Sequence, residues 1–373
     1  MTAAAGADAI AADAGVVAHV GATAYRIPTD APESDGTFAW DATTLVVVEV
    51  EGGGAHGLGY TYGDAAVARI ASGALATAVE GTDVLDTGAA HAAAEAALRN
   101  IGRTGPGAMA LSALDIALHD LKARLLGVPL WRMLGAVRER VPIYGSGGFT
   151  SYDDARLAAQ LTGWVREGIP RVKMKVGREP ERDLRRVEVA RAAVGDDIEL
   201  MVDANGAYDR RPALLWAERF AQRGVTWLEE PVSSDDVQGM ALVRDHAPPG
   251  LEIAAGEYVW READALALIG AVDVLQVDVT RCGGVTTALA IDALARARSM
   301  PTSIHCAPAV SAHVGAAMAT LRHLEYFHDH VRIERMLFDG VSDVGAGGVL
   351  APSPDRPGLG LELRREDAER WRA

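Results

Sequence analysis

Arg171-Val-Lys-Met-Lys-Val-Gly177 is the stretch on which the reading of the fold turns. A strand sends successive side chains to opposite faces, so Lys173 and Lys175 share one face while Val172, Met174 and Val176 cover the other. Half-exposed strands commonly alternate lysine with apolar residues in this way. What lies to either side decides whether these two lysines are buried.

Outward from this stretch the same unit repeats. Apolar runs at 141–146, 171–176, 198–203, 226–229, 252–255, 274–278 and 302–305, with a last one ending near Glu334, alternate with amphipathic helices at 152–167, 181–194, 212–222, 235–246, 261–269, 285–299 and 309–321. Strand-then-helix repeats call for a parallel sheet, and about eight evenly spaced units favour a closed barrel over an open doubly wound sheet. The fold class is therefore α/β, with the barrel expected over 131–340.

The segment 16–130 reads as an α+β unit, with strands at 16–27 and 43–51 and helices at 65–79, 90–100 and 108–126. Between its first two strands, 28–42 has a polar loop composition with the aromatic anchors Phe38 and Trp40. Gly52-Gly-Gly-Ala-His-Gly57 has the spacing of a dinucleotide fingerprint, but Leu58, Tyr60 and Tyr62 alternate after it. A strand in that place makes a hairpin, not the helix start that cradles phosphate. The Ala-rich residues 1–15 read as a disordered leader, and 341–373 as a tail that returns to the first domain.

Composition narrows the function. A chain of 373 residues with 49% hydrophobic content has ample material for a large domain and a smaller one. A net charge of −15 and a pI near 5.1 exclude nucleic acid and anionic membrane as partners, since both need basic patches. An anionic small molecule then requires a local cation. The two cysteines, Cys282 and Cys306, have neither zinc-site nor disulfide spacing, which fits a reducing cytoplasm. No run approaches membrane-spanning length.

Chemistry in a parallel barrel sits at the C-terminal ends of its strands. Those ends carry Ser146, Lys173 and Lys175, Asp203 and Asn205, Glu229 and Glu230, Glu257, Asp278, His305 and Glu334, and from Lys175 to His305 the intervals run from 21 to 28 residues. Asp203, Glu229 and Glu257 fall on successive strands, and three carboxylates that close repel unless a cation sits among them. An all-oxygen trio suits Mg²⁺ better than zinc. Of Glu229 and Glu230 only one is expected to face that ion, because neighbours on a strand point apart. Asp278 and His305 end neighbouring strands, so the acid can hold one imidazole nitrogen and orient the other. Lys173 is expected to lower the pKa of Lys175 and leave it partly neutral as a base. Ser146 lacks a nucleophile elbow, and His323, His328 and His330 lack zinc-ligand spacing.

In Lys173-Met-Lys175, Asp203-Ala-Asn205, Leu228-Glu-Glu-Pro231, Gly256-Glu257, Val277-Asp278 with Gly283-Gly-Val285, and Ser303-Ile-His305, the chain resembles the mandelate racemase subgroup of the enolase superfamily across about 141–335. The resemblance implies a modified TIM barrel, (β/α)7β, under an N-terminal α+β capping domain completed by the C-terminal tail. It implies that Asp203, Glu229 and Glu257 bind Mg²⁺, that Lys175, beside Lys173, and His305, paired with Asp278, are the two acid/base groups, and that Glu334 hydrogen-bonds a substrate carboxylate. Asn205 and Ser146 become substrate contacts. The capping loops would be 28–42 and 59–63, with Trp40, Phe38, Tyr60 and Tyr62 as specificity residues. Members of this subgroup act on small-molecule carboxylates, commonly sugar acids, through an enediolate, and usually assemble as homo-oligomers. The expected reaction is dehydration of an aldonate or aldarate; a racemase or epimerase of a 2-hydroxy acid is the alternative, and an inactive sugar-acid binder a third.

Overall fold

The computed structural model describes residues 15–373, so the leader reading lies outside the described residues except for Gly15. The two-lysine stretch forms β5 (Arg171–Lys175), which pairs in parallel with β4 (Val141–Gly147) on one side and β6 (Glu199–Asp203) on the other. The series continues through β7 (Val225–Glu229), β8 (Glu252–Ala255), β9 (Val274–Val277), β10 (Thr302–Ile304) and β11 (Leu321–Phe327). Pairing of β11 with β4, from Leu324 with Ile143 to Phe327 with Ser146, closes an eight-stranded parallel barrel. The closed barrel expected from the repeats is present.

Helices join successive strands along the outside. Two of them start at side-chain caps: Asp153 accepts from Arg156 N ahead of the helix Asp154–Arg166, and Asp236 from Gly239 N ahead of Val237–His246. Outward-facing Val172 and Met174 are fully buried in the core between strands and helices, while the inward face of β5 carries the lysines. Lower in the barrel Tyr144, Met201, Trp227, Ala254 and Val274 form a separate apolar cluster. That layer is a floor on which the polar groups rest.

One strand departs from the sequence reading. The eighth strand ends at Phe327, and the residues expected to form its end lie in the helix His328–Leu337. The error follows from spacing: the intervals of up to 28 residues seen earlier placed the last unit too far along, whereas β11 follows β10 after a single short helix, Pro308–Ala317.

The capping sheet is the meander β1 (Val17–Ser34), β2 (Ala39–Gly52) and β3 (Ala55–Tyr62). Gly53 and Gly54 turn β2 into β3 with positive φ angles of 59° and 78°, so the glycine-rich stretch is the expected hairpin. Gly57 and Gly59 let the helix Pro106–Leu125 lie directly on β3, since a Cβ would stand 2.2 Å from Ala117 O and 2.1 Å from Ala113 O. The loop expected at 28–42 is shorter than its composition suggested. Strand pairing extends past Pro28 across a register shift to Glu33 and Ser34, and β1 tolerates Pro28 and Pro32 because it is an edge strand.

The C-terminal tail runs back along the barrel and reaches the cap. Val349–Leu350 pairs with the start of β4, Arg26 N donates to Trp371 O, and Ala373 N to Ala24 O. The tip of the β1–β2 hairpin lies over the ends of β5 and β6: a Cβ on Gly36 would be 2.2 Å from Ala204 O, and Thr37 Oγ1 donates to Asn205 O at 3.3 Å. The cap therefore covers the end of the barrel at which the lysines and acids emerge.

Candidate active site

Strand register places the polar ends side by side. Lys175 pairs with Asp203 and Asp203 with Glu229 across β5, β6 and β7. Lys173 Nζ donates to both Glu229 oxygens at 2.7 Å, lies 3.6 Å from Asp203 and 3.0 Å from Glu325, and sits over the Tyr144 ring at 5.2 Å. Lys175 Nζ donates to Asp203 Oδ2 at 2.5 Å. Trp227 Nε1 and Gln276 Nε2 also donate to Glu229 Oε2, at 3.0 and 2.9 Å. The alternation that made β5 look ordinary buries both ammonium groups.

Ile304 pairs with Val277, which brings the residues that follow, His305 and Asp278, level with each other. His305 Nδ1 bonds Asp278 Oδ2 at 2.7 Å, and Nε2 lies 2.8 Å from Glu257 Oε2. Thr280 N and Oγ1 donate to Asp278 Oδ1, both at 2.7 Å, and Arg281 Nε stands 3.4 Å from Oδ2. Asp278 is thus fixed before it orients the imidazole.

Asp203, Glu229, Glu230, Glu257, Asp278 and Glu325 are all buried here, against Lys173, Lys175, Arg281 and His305. Burial, with Asp203 as the nearest like charge, pushes Glu229 up to about 8. Burial and the neighbours Glu257, Asp203 and Glu229 push Glu230 well above the carboxylate range, and its Oε1 has no hydrogen-bond partner. A positive φ of 38° at Glu230 breaks the strand alternation, so this acid joins the group instead of pointing away from it. More buried carboxylate than local cation, all in oxygen donors, is the environment a divalent hard ion suits. The residues present fit Mg²⁺.

The two bases differ in their surroundings. Burial lowers the pKa of Lys175 and so does Lys173, but the ion pair with Asp203, joined by Glu325 and Glu257, outweighs both and raises it. The lowering expected from Lys173 alone is overturned wherever Asp203 is free to pair with Lys175. Burial also lowers His305, yet Cys306, Glu257, Glu325 and the Asp278 bond together hold it well above the ordinary histidine value.

Glu334 is corrected by the structure. It lies on the helix His328–Leu337, where Tyr60 Oη donates to Oε1 at 2.5 Å and Ala309 N to Oε2 at 3.0 Å. Tyr60, fully buried and stacked on Phe338 at 5.1 Å, spends its hydroxyl on that bond, in the seam between cap and barrel. Tyr62 stacks on His330 in the same seam, 3.4 Å between ring centres. Trp40 donates to Glu33 Oε2 at 2.8 Å and meets Phe149 edge-on, and Phe38 stacks beside it, 65% exposed. Asn205 Oδ1 is buried with no hydrogen-bond partner, and Ser146 Oγ is buried beside Glu325.

Sequence reasoning missed Glu325. This residue stands two positions before the end of β11 and lies 3.0 Å from Lys173 Nζ and 3.5 Å from His305 Nε2. Burial raises its carboxyl, but Lys173, His305 and Lys175 outweigh burial and hold it below the usual range. A signal existed: a lone acid in the mixed run Leu321–Phe327, about as far past His305 as Asp278 is past Glu257. Gln276, Trp227 and Cys306 were missed as well, since uncharged residues inside a strand or beside a histidine look like packing.

Both parts of the chain are similar to known proteins. Residues 22–135 match the N-terminal domain of the mandelate racemase/muconate lactonizing enzyme family, and 156–368 match its enolase C-terminal domain-like partner. L-talarate/galactarate dehydratase of Salmonella typhimurium is 35% identical over 277 residues, 73% of this chain and 67% of that protein. Its structure with Mg and L-lyxarohydroxamate superposes with a TM-score of 0.88 at 29% identity, over 96% of this chain and 93% of that one. 3,6-anhydro-alpha-L-galactonate cycloisomerase of Streptomyces coelicolor is 34% identical over 91% of this chain and 94% of its own length. A mandelate racemase/muconate lactonizing enzyme-like protein from Rubrobacter xylanophilus shares 58% identity and a TM-score of 0.95, over 96% of this chain and all of that one.

Proposed function

This chain belongs to the mandelate racemase/muconate lactonizing enzyme family of the enolase superfamily, and on that premise we propose that it dehydrates a sugar acid, an aldonate or aldarate, to a 2-keto-3-deoxy acid with Mg²⁺ as cofactor. The observation that carries the reading is a row of buried carboxyls with a different acid/base group at each end. Lys175 is on Asp203 and His305 on Glu257. Asp203, Glu229 and Glu257 are the residues that would hold the ion. When bound, Mg²⁺ supplies positive charge against which a substrate carboxylate can take on a second negative charge.

Were Asp203 and Glu257 engaged by the cofactor, burial and Lys173 would lower the Lys175 pKa with Glu325 left as the opposing charge. Lys175 Nζ then takes the proton from the carbon next to the carboxylate. Lys173, held by Glu229 and Glu325, faces the growing anion as a fixed cation. His305 Nε2, with Asp278 on its other nitrogen, gives its proton to the hydroxyl on the next carbon, which leaves as water. The enol that remains becomes the 2-keto acid. Ser146 Oγ and Asn205 Oδ1 are offered to the substrate's oxygens, and Glu325 takes the place first expected of Glu334.

The test is incubation with Mg²⁺ and a panel of aldonates and aldarates, scored as semicarbazones of 2-keto acids. A keto acid from at least one of them is expected. No keto acid from any, with α-proton exchange in D₂O and no loss of water, would shift the reading to an isomerase. The cycloisomerase relative, aligned over most of both chains, supports that second reading with the same two groups.

A further inference from the structure

His305, Cys306 and Glu325 form a second cluster of metal-ligating atoms beside the carboxylate row. Neighbours on a strand normally point apart, but Cys306 has a φ of 54°, and this turn brings its thiol onto the imidazole side. Cys306 Sγ stands 3.3 Å from His305 Nε2 and 3.5 Å from Glu325 Oε2, and His305 Nε2 is 3.5 Å from the same oxygen. Bond lengths at a tetrahedral zinc ion put nitrogen, sulfur and oxygen ligands about 3.4–3.6 Å from one another. Two sides of the triangle, at 3.5 Å, already have that size, and the third, at 3.3 Å, is slightly shorter. All three residues are buried, and Asp278 on His305 Nδ1 makes Nε2 the ligating nitrogen, the usual arrangement behind a metal-bound histidine, so an ion there would replace the contact of Nε2 with Glu257 Oε2 at 2.8 Å.

We propose that His305 Nε2, Cys306 Sγ and a Glu325 oxygen form a site for a thiophilic divalent cation, Zn²⁺ or Co²⁺, distinct from the oxygen trio and inhibitory when filled. Sulfur and imidazole select such ions over Mg²⁺, whereas the trio's hard oxygens favour Mg²⁺. Binding displaces the thiol proton, and any proton on Nε2, to solvent, and two anionic ligands then balance the ion's charge. An ion on Nε2 removes the nitrogen that would protonate the leaving hydroxyl. Only this inhibitory consequence rests on the proposed reaction; occupancy of the site does not.

The test titrates Co²⁺ into Mg²⁺-saturated wild-type protein and follows the near-ultraviolet cobalt–thiolate charge-transfer band. The band is expected to appear in wild type and in Cys282→Ser, to vanish when Zn²⁺ is added, and to be absent in Cys306→Ser. Glu325→Gln is expected to weaken Co²⁺ by at least the roughly 10–100-fold that loss of an outer-shell partner costs. No band in wild type, a band that survives Cys306→Ser, or unchanged affinity in Glu325→Gln overturns the site. These readings need no substrate, so absence of keto acid from every sugar acid would defeat the dehydratase reading while leaving this outcome separate. Where turnover is measurable, Zn²⁺ should inhibit wild type at least tenfold more strongly than Cys306→Ser, and equal inhibition overturns the link to His305.

Discussion

Glu325 and Glu334 are both fully buried and stand on either side of the junction where β11 gives way to the helix His328–Leu337. At the barrel mouth Glu325 faces Lys173, His305 and Lys175, which hold it ionised against burial. In the seam under the cap Glu334 meets the Tyr60 hydroxyl and the Ala309 N–H, and burial pushes it up to about 8. One region buries charges and answers them with opposite charges; the other buries a carboxyl with no cation beside it, and burial outweighs the two hydrogen bonds that favour its ionised form. Charge is retained where it can act on a ligand, and suppressed where the residue holds two domains together.

The widest break between the regions should come from the mouth's proton donor. His305→Asn is expected to lower keto-acid formation by about 10²–10⁴-fold, the usual worth of a general acid, measured as kcat on the best sugar acid. Glu325→Gln comes next: loss of about 10²-fold in kcat/KM is expected, comparable with removing one preorganised electrostatic contact. Glu334→Gln, by contrast, should leave kcat/KM near wild type. Equal losses in the two glutamine variants would mean that the seam carries chemistry after all.

Stability should show the opposite ordering with pH. Unfolded, Glu334 returns to the ordinary carboxylate value, so between that value and about 8 the folded state binds the additional proton. This group's contribution is complete at pH below the ordinary carboxylate range and is lost as pH rises toward about 8. Glu334→Gln cannot ionise, and its Tm should climb relative to wild type over that rise; a constant difference would place the titration elsewhere. The smallest effect is expected from Tyr60→Phe, which removes the seam's hydroxyl bond at a cost of about 1 kcal/mol in chemical denaturation, with turnover kept.

Much of this was legible in the chain. Eight strand-helix units, Lys173 and Lys175 on one face, the acids at the ends of β6 to β8 and the Asp278–His305 pair follow from period and spacing, because regular elements fix where side chains point. Two kinds of information were not available from spacing. The short β10–helix–β11 unit broke the interval on which Glu334 was chosen, and Glu325, inside a run of mixed polarity, gave no alternation to mark it as a strand end. Glu230 and Cys306 join the mouth through positive φ angles at non-glycine residues, which neither propensity nor alternation reveals. The expected loop at 28–42 became mostly strand because pairing partners, absent from local composition, extend β1 and β2.

The central claim is that Lys175, freed from Asp203 by the cofactor, removes the α-proton. Exchange of that proton in D₂O, followed by NMR for Lys175→Ala and wild type with saturating Mg²⁺ and the best sugar acid, tests it most directly. The account predicts that the variant, folded as judged by an unchanged circular dichroism spectrum, loses both exchange and keto-acid formation. Exchange at the wild-type rate in Lys175→Ala would contradict it.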